Sequence, residues 1–169
     1  MKQILNKSYS SVVATLWNLL LVYLVYQIAR YEYYLENVNY LSYTSDVFKG
    51  GLLFDTSAII YTNALYIMLM LLPWHKKENR KYHLFCKWFY LIVNGIAFAI
   101  NLTDSVYFQY TMRRTTTTVF DEFANENNLG SIIGTEFLNH CYLVLLFVIV
   151  MILLWILYVT PRAISNLRY

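Results

Sequence analysis

The segment GGLLFDTSAIIYTNALYIMLMLLP, residues 50–73, decides what kind of protein this is. It reads as a membrane-spanning helix of about 22 residues, close to the ~20 needed to cross the hydrocarbon core. Asp55 sits about one turn inside its first end. A carboxylate at that depth costs on the order of 3 kcal/mol even on insertion-derived scales, so it has to be partnered, protonated or turned toward a wet cleft. The rest of the chain must supply that environment.

Composition points the same way. With 59% hydrophobic and 14% charged residues and a mean hydropathy of +0.43, the chain has more apolar surface than a soluble domain of this size can hide. The expected class is all-α: a polytopic membrane protein, a bundle of four transmembrane helices at about 11–30, 47–72, 86–112 and 136–160, with short interfacial helices. They form a single transmembrane domain over residues 1–169. The 17 Tyr and 4 Trp suit rings placed at headgroup level.

Upstream of the 50–73 segment, Ser11 to Ala29 is too long for the apolar part of a signal peptide and is not followed by a small-residue cleavage site. It reads as the first span. Arg30 to Tyr43 mixes Arg30, Glu32 and Glu36 with tyrosines and reads as a segment lying along the surface. Downstream, Pro73 and Trp74 close the second span, and a basic loop carries His75, Lys76, Lys77, Arg80, Lys81, His83 and Lys87. The third span contains Asn94, Asn101 and Asp104, then Arg113, Arg114 and four threonines. Thr118 with Asp121 and Glu122 reads as the capped start of a short helix. The fourth span has no charge and ends at Pro161.

If the N-terminus is cytoplasmic, the inner segments hold Lys2, Lys7, Lys76, Lys77, Arg80, Lys81, Lys87, Arg162 and Arg168 out of 13 Lys and Arg. Only Arg30, Lys49, Arg113 and Arg114 fall outside or near the outer end, so the positive-inside rule places the N-terminus and residue 169 in the cytoplasm. On the second span Gly51, Asp55, Thr62 and Tyr66 keep to one stripe, and on the third Asn94, Asn101, Asp104 and Thr111 do the same. Antiparallel neighbours would bring Asp55 and Asp104 to similar depth, close to Arg113 and Arg114. Guanidinium geometry suits a lipid phosphate there, while polar pairs between helices also serve simply to hold bundles together. Cys86 and Cys141 are the only cysteines and belong near opposite faces, which excludes a disulfide between them. Their spacing fits no zinc or iron–sulfur site, and His140 and Cys141 read as packed residues rather than ligands.

The arrangement FKGGLLFDTSAIIYTNALYIMLMLLP, then NGIAFAINLTDSVYFQYTMRRTTTTVFDEF, resembles the N-terminal transmembrane domain of bacterial lipoteichoic acid synthase-like proteins. These are sulfatase and phosphoglycerol transferase relatives of the alkaline phosphatase superfamily. The residues that carry the resemblance are Gly51, Phe54, Asp55, Tyr61, Asn63 and Pro73, then Asn94, Asn101, Asp104, Tyr107, Phe108, Arg113, Arg114 and Thr115. It implies a membrane anchor in the bacterial cytoplasmic membrane that presents lipid substrate to an extracytoplasmic phosphoglycerol or phosphoethanolamine transferase, or a sulfatase. Asp55, Asn63, Asn101, Asp104, Arg113 and Arg114 are then the headgroup-binding candidates. The family's fifth helix, metal-binding residues and threonine nucleophile have no counterpart here. Thr115 to Thr118 lack the carboxylate and histidine cluster that holds a metal. The chain is therefore expected to be catalytically silent and free of cofactor, with a divalent metal belonging only to a following domain. Its expected partners are membrane lipids, including anionic phospholipid headgroups, and that covalently following domain, with no nucleic acid. Two alternatives are a self-contained partner-binding scaffold and a proton- or ion-coupled carrier using Asp55 and Asp104. The carrier lacks the repeats and broken helices usual for transporters.

Overall fold

The computed structural model describes residues 11–41, 45–71, 80–116, 134–135 and 138–161, the side chains of residues 45–48 excepted. Among these residues the regular structure is helical throughout. The main elements are α1 (Ser11–Glu36), α2 (Ser45–Thr62), α3 (Ala64–Leu71), α4 (Arg80–Thr111) and α5 (Cys141–Leu157). Helices α1 and α4 are long and apolar enough to cross a membrane. Taken as one bent pair, α2 and α3 make a third such segment, and α5 is an apolar helix of 17 residues. At 1.5 Å per residue α5 extends about 26 Å, just short of a typical hydrocarbon core.

Helix directions follow from who bonds whom. Tyr90 donates to the Asn18 carbonyl, Ser105 to Glu32 and Gln109 to Glu36, a sequence offset that stays at 72–73 residues. A constant offset requires parallel helices, so α1 and α4 run side by side in the same direction. Their pairing is the most extensive in the molecule. The α2–α3 pair runs antiparallel to α1, with Asp55 beside Gln27 and Tyr66 beside Asn18. Helix α5 does likewise, with Tyr142 on Glu36 and Val159 on Asn18.

Between the helices an apolar core encloses several polar side chains, and the outward faces are apolar. Asn18, Asn37, Asn63, Asn94 and Ser105 are fully buried, while Leu16, Leu20, Leu24, Ile92, Ile96 and Ile100 are exposed at intervals of four. Where α4 meets α5, Gly95 faces the Met151 side chain, whose terminal methyl would stand 3.0 Å from a Cβ placed there.

Several expectations are corrected. Arg30 to Glu36 does not form a separate surface segment; it continues α1 as helix, because Glu32 and Glu36 find donors on the parallel α4. Residues 47–72 are not one straight helix: the chain bends by 56° at Asn63. Thr62 and Asn63 both turn side-chain donors onto carbonyls of the preceding turn, Ala58 at 2.8 Å and Ile59 at 3.1 Å. Such back-bonding is a recognised cause of helix kinks. The bend also splits the stripe read through Gly51, Asp55, Thr62 and Tyr66, leaving Thr62 exposed and Tyr66 buried. Helix α4 begins at Arg80, so Arg80, Lys81, His83 and Lys87 lie on helix rather than in a loop. Finally, Tyr26, Tyr66, Tyr90 and Tyr158 are core residues rather than members of an interface belt, and Cys141 is exposed rather than packed. Both cysteines are free thiols. Pro73, Trp74, the loop around His75 and the helix start at Thr118 lie outside the described residues.

Candidate headgroup site at the charged end

One end of the bundle, where α1 and α4 finish and α2 and α5 begin, gathers most of the charged side chains among the described residues. Asp55 accepts hydrogen bonds from Arg30, with which it forms an ion pair, and from Gln27 at 3.2 Å. Both partners come from α1. The Arg30 guanidinium reaches Asp55 by crossing α2 at Gly51, where a Cβ would collide with it. Glycine one turn before the aspartate is thus what lets the arginine lie against the helix. Beyond this contact α2 is lightly held: Leu53, Phe54 and Tyr61 are 74–80% exposed, and Ile59 is buried.

Asp104 has a different environment. Helix α4 ends when Met112 adopts a left-handed conformation, φ 54°, a conformation costly to any residue with a Cβ. The chain then doubles back over the last turns of α4. Arg114 Nε donates to Asp104 Oδ2 at 2.7 Å and the Thr115 amide to Oδ1 at 2.6 Å. The Arg114 guanidinium also lies 5.0 Å from the centre of the Tyr33 ring. Asp104 is buried while the Arg114 side chain remains 65% exposed. Asp104 therefore pins the returning strand and presents Arg114 at the surface.

Between these two carboxylates stand acids that the sequence reading passed over as surface residues. Glu32 accepts from Ser105 at 3.0 Å, and Glu36 accepts from Gln109 at 3.1 Å and from the Tyr142 hydroxyl. The i, i+4 repeat on α1 faces an i, i+4 repeat on α4, a match visible in the sequence only once the two helices are known to be parallel.

No family model, curated protein or solved structure matches the chain. The site is therefore read from its own geometry.

The six candidates do not form one cleft. Asp104 and Arg114 meet directly, and the Arg114 charge also acts on Asp55, so these three share the charged end. Arg113 is exposed beside them, its carbonyl accepting from Thr111 at 3.0 Å. Asn101 turns its amide onto its own helix, at Ala97, 2.8 Å away. Asn63 lies deeper, where it exchanges two amide hydrogen bonds with Asn94 at 2.9 and 3.0 Å. Asn63 and Asn101 are thus explained by helix structure. Among the described residues no group of three or more His, Cys, Asp or Glu is placed to hold a metal.

At the opposite end a second polar network has no charged centre. Asn18 donates to Tyr66 at 2.7 Å and to the Val159 carbonyl at 2.9 Å, and accepts from the Val159 amide at 3.0 Å. The rings of Tyr66, Tyr90 and Tyr158 pack together above it, 5.1–6.5 Å between centroids. Lys87 caps the Trp155 carbonyl at 2.8 Å and sits over that residue's ring. These contacts fasten α5 to the bundle.

Proposed function

We propose that this chain is a four-span domain of the bacterial cytoplasmic membrane, with the N-terminus and residue 169 cytoplasmic. Its charged end holds the phosphate of a lipid headgroup, within reach of an extracytoplasmic domain that transfers or hydrolyses a phospho or sulfo group. In this reading α2 with α3, and α5, complete the spans begun by α1 and α4. The distribution of Lys and Arg supports the orientation, and the residue pattern around Asp55 and Arg114 supports the lipid-presenting role.

The observation that carries the reading is how Arg114 is held. A guanidinium carries five N–H donors, and here the Nε edge is fixed by Asp104 while Tyr33 supports the plane. The edge formed by the two Nη groups faces away from that contact and is the right width for two phosphate oxygens. Fixing the side chain beforehand lowers the entropy lost on binding.

The test is binding of phosphatidylglycerol to the purified chain in nanodiscs. Arg114→Ala should weaken it about 10–100-fold, the equivalent of a charged hydrogen bond or two. Arg114→Lys should rescue it only in part, because one ammonium cannot offer the paired donors. Binding by Arg114→Ala equal to wild type would falsify the headgroup role.

A further inference from the structure

Three buried or half-buried side chains with oxygen ligands, Glu32, Glu36 and Asn37, line the α1–α4 seam at the charged end, and the donors they meet are all neutral. Glu32 is 7% exposed; its Oε1 accepts from Ser105, while its Oε2 has no hydrogen-bond partner among the described residues. Asn37 is fully buried. Its Nδ2 donates to the carbonyls of Tyr33 and Ser105, both at 3.0 Å, which fixes the orientation of the amide. Asn37 Oδ1 is then left without a donor among the described residues. Glu36 lies one turn from Glu32 and, among the described residues, accepts only from Gln109 and Tyr142. The nearby arginines do not relieve this pair, since Arg30 bonds Asp55 and Arg114 bonds Asp104.

Two carboxylates one turn apart repel each other, and buried acceptors without donors are costly. Both costs disappear if a positive ion sits among them. The ligand atoms are all oxygen, with no thiol or imidazole in the group, which selects a hard cation. Two negative charges favour a divalent one, and the burial of Glu32 and Asn37 limits the occupant to a small ion. We propose that Glu32, Asn37 and Glu36 form a binding site for a hard divalent cation, Ca²⁺ or Mg²⁺, that ties the end of α1 to α4. Through Tyr142 on Glu36 the same ion steadies the start of α5. The site is separate from the Arg114 edge, so its failure would leave the headgroup reading untouched.

The test uses the full chain in phosphatidylcholine nanodiscs, whose uncharged surface removes general cation effects. Thermal unfolding is followed while CaCl₂ or MgCl₂ is titrated at constant ionic strength, with NaCl as control. Wild type should show a saturable rise in Tm of roughly 5 °C with one of the divalent ions, and Glu32→Gln should abolish it. Because Glu32→Gln alters a buried residue, Glu36→Gln serves as the second variant. By removing one of the two charges, it should weaken the midpoint at least ~10-fold, about one charge-assisted contact. Two results overturn the proposal: no divalent-specific shift in wild type, or a shift unchanged in both variants. If Glu32→Gln matches wild type in stability and neither responds to metal, the missing donor is a proton on Glu32 and the cation site does not exist.

Discussion

Asn63 and Asn94 exchange two amide hydrogen bonds in a position closed to both water and lipid. Each also donates back to its own helix, Asn63 to Ile59 and Asn94 to Tyr90. Removing one member strands the other's carbonyl or amide. Asn63→Leu should therefore destabilise the bundle by about 1–2 kcal/mol. The double variant with Asn94→Leu should cost less than the two single changes added together, which a double-mutant cycle of unfolding in mixed micelles would measure. At this scale the sequence draws attention to Asp55, Asn63, Asn94 and Asp104 but to few of the residues that bond them. That Asp55 must be partnered, protonated or turned to a wet cleft is plain from its depth, yet the arginine that answers it belongs to a stretch that reads as lying along the surface. Glu32 and Asn37 were not singled out because burial, which makes them unusual, is not a property of a residue's own neighbours in sequence.

The helices make their own demands. Met112 ends α4 in a left-handed conformation and is 53% exposed, so it contributes little packing where it stands. Met112→Gly should relieve the conformational cost and stabilise the fold by about 0.5–1 kcal/mol, seen as a higher unfolding midpoint. A loss of stability there would mean that the methionine side chain matters more than the turn. Gly51 has the opposite character. A larger residue must displace Arg30 from α2, so Gly51→Val should destabilise by about 1 kcal/mol. The effect should shrink when Asp55 is already Ala, because the arginine then has no reason to cross the helix. The bend at Asn63 was invisible to a hydropathy reading, since residues 50–73 are apolar on both sides of it. What breaks the helix is a pair of side-chain donors that compete for the backbone, and their effect depends on Asn94 holding Asn63 turned inward.

Across the whole molecule, polar contacts at three levels hold one parallel helix pair and its two antiparallel neighbours: the Asn18 and tyrosine network, the Asn63–Asn94 pair, and the charged end. The first level governs how α5 is fastened. Asn18→Leu removes both hydrogen bonds to Val159, so the end of α5 should loosen and uncover Cys86, which is fully buried, whereas Cys141 is exposed. Maleimide labelling measures this directly, with Cys141 as the internal reference. Cys86 should be protected in wild type and react several-fold faster in the variant, and unchanged protection would show that α5 is held by packing alone. The sequence by itself determined that this is a helical chain with membrane-length apolar segments, because hydropathy and helical period are properties of each segment taken alone. The tertiary structure decided which residues answer one another, over separations that reach 141 residues for Asn18 and Val159. Those pairings depend on the relative direction and register of helices, and a segment's own composition says nothing about either.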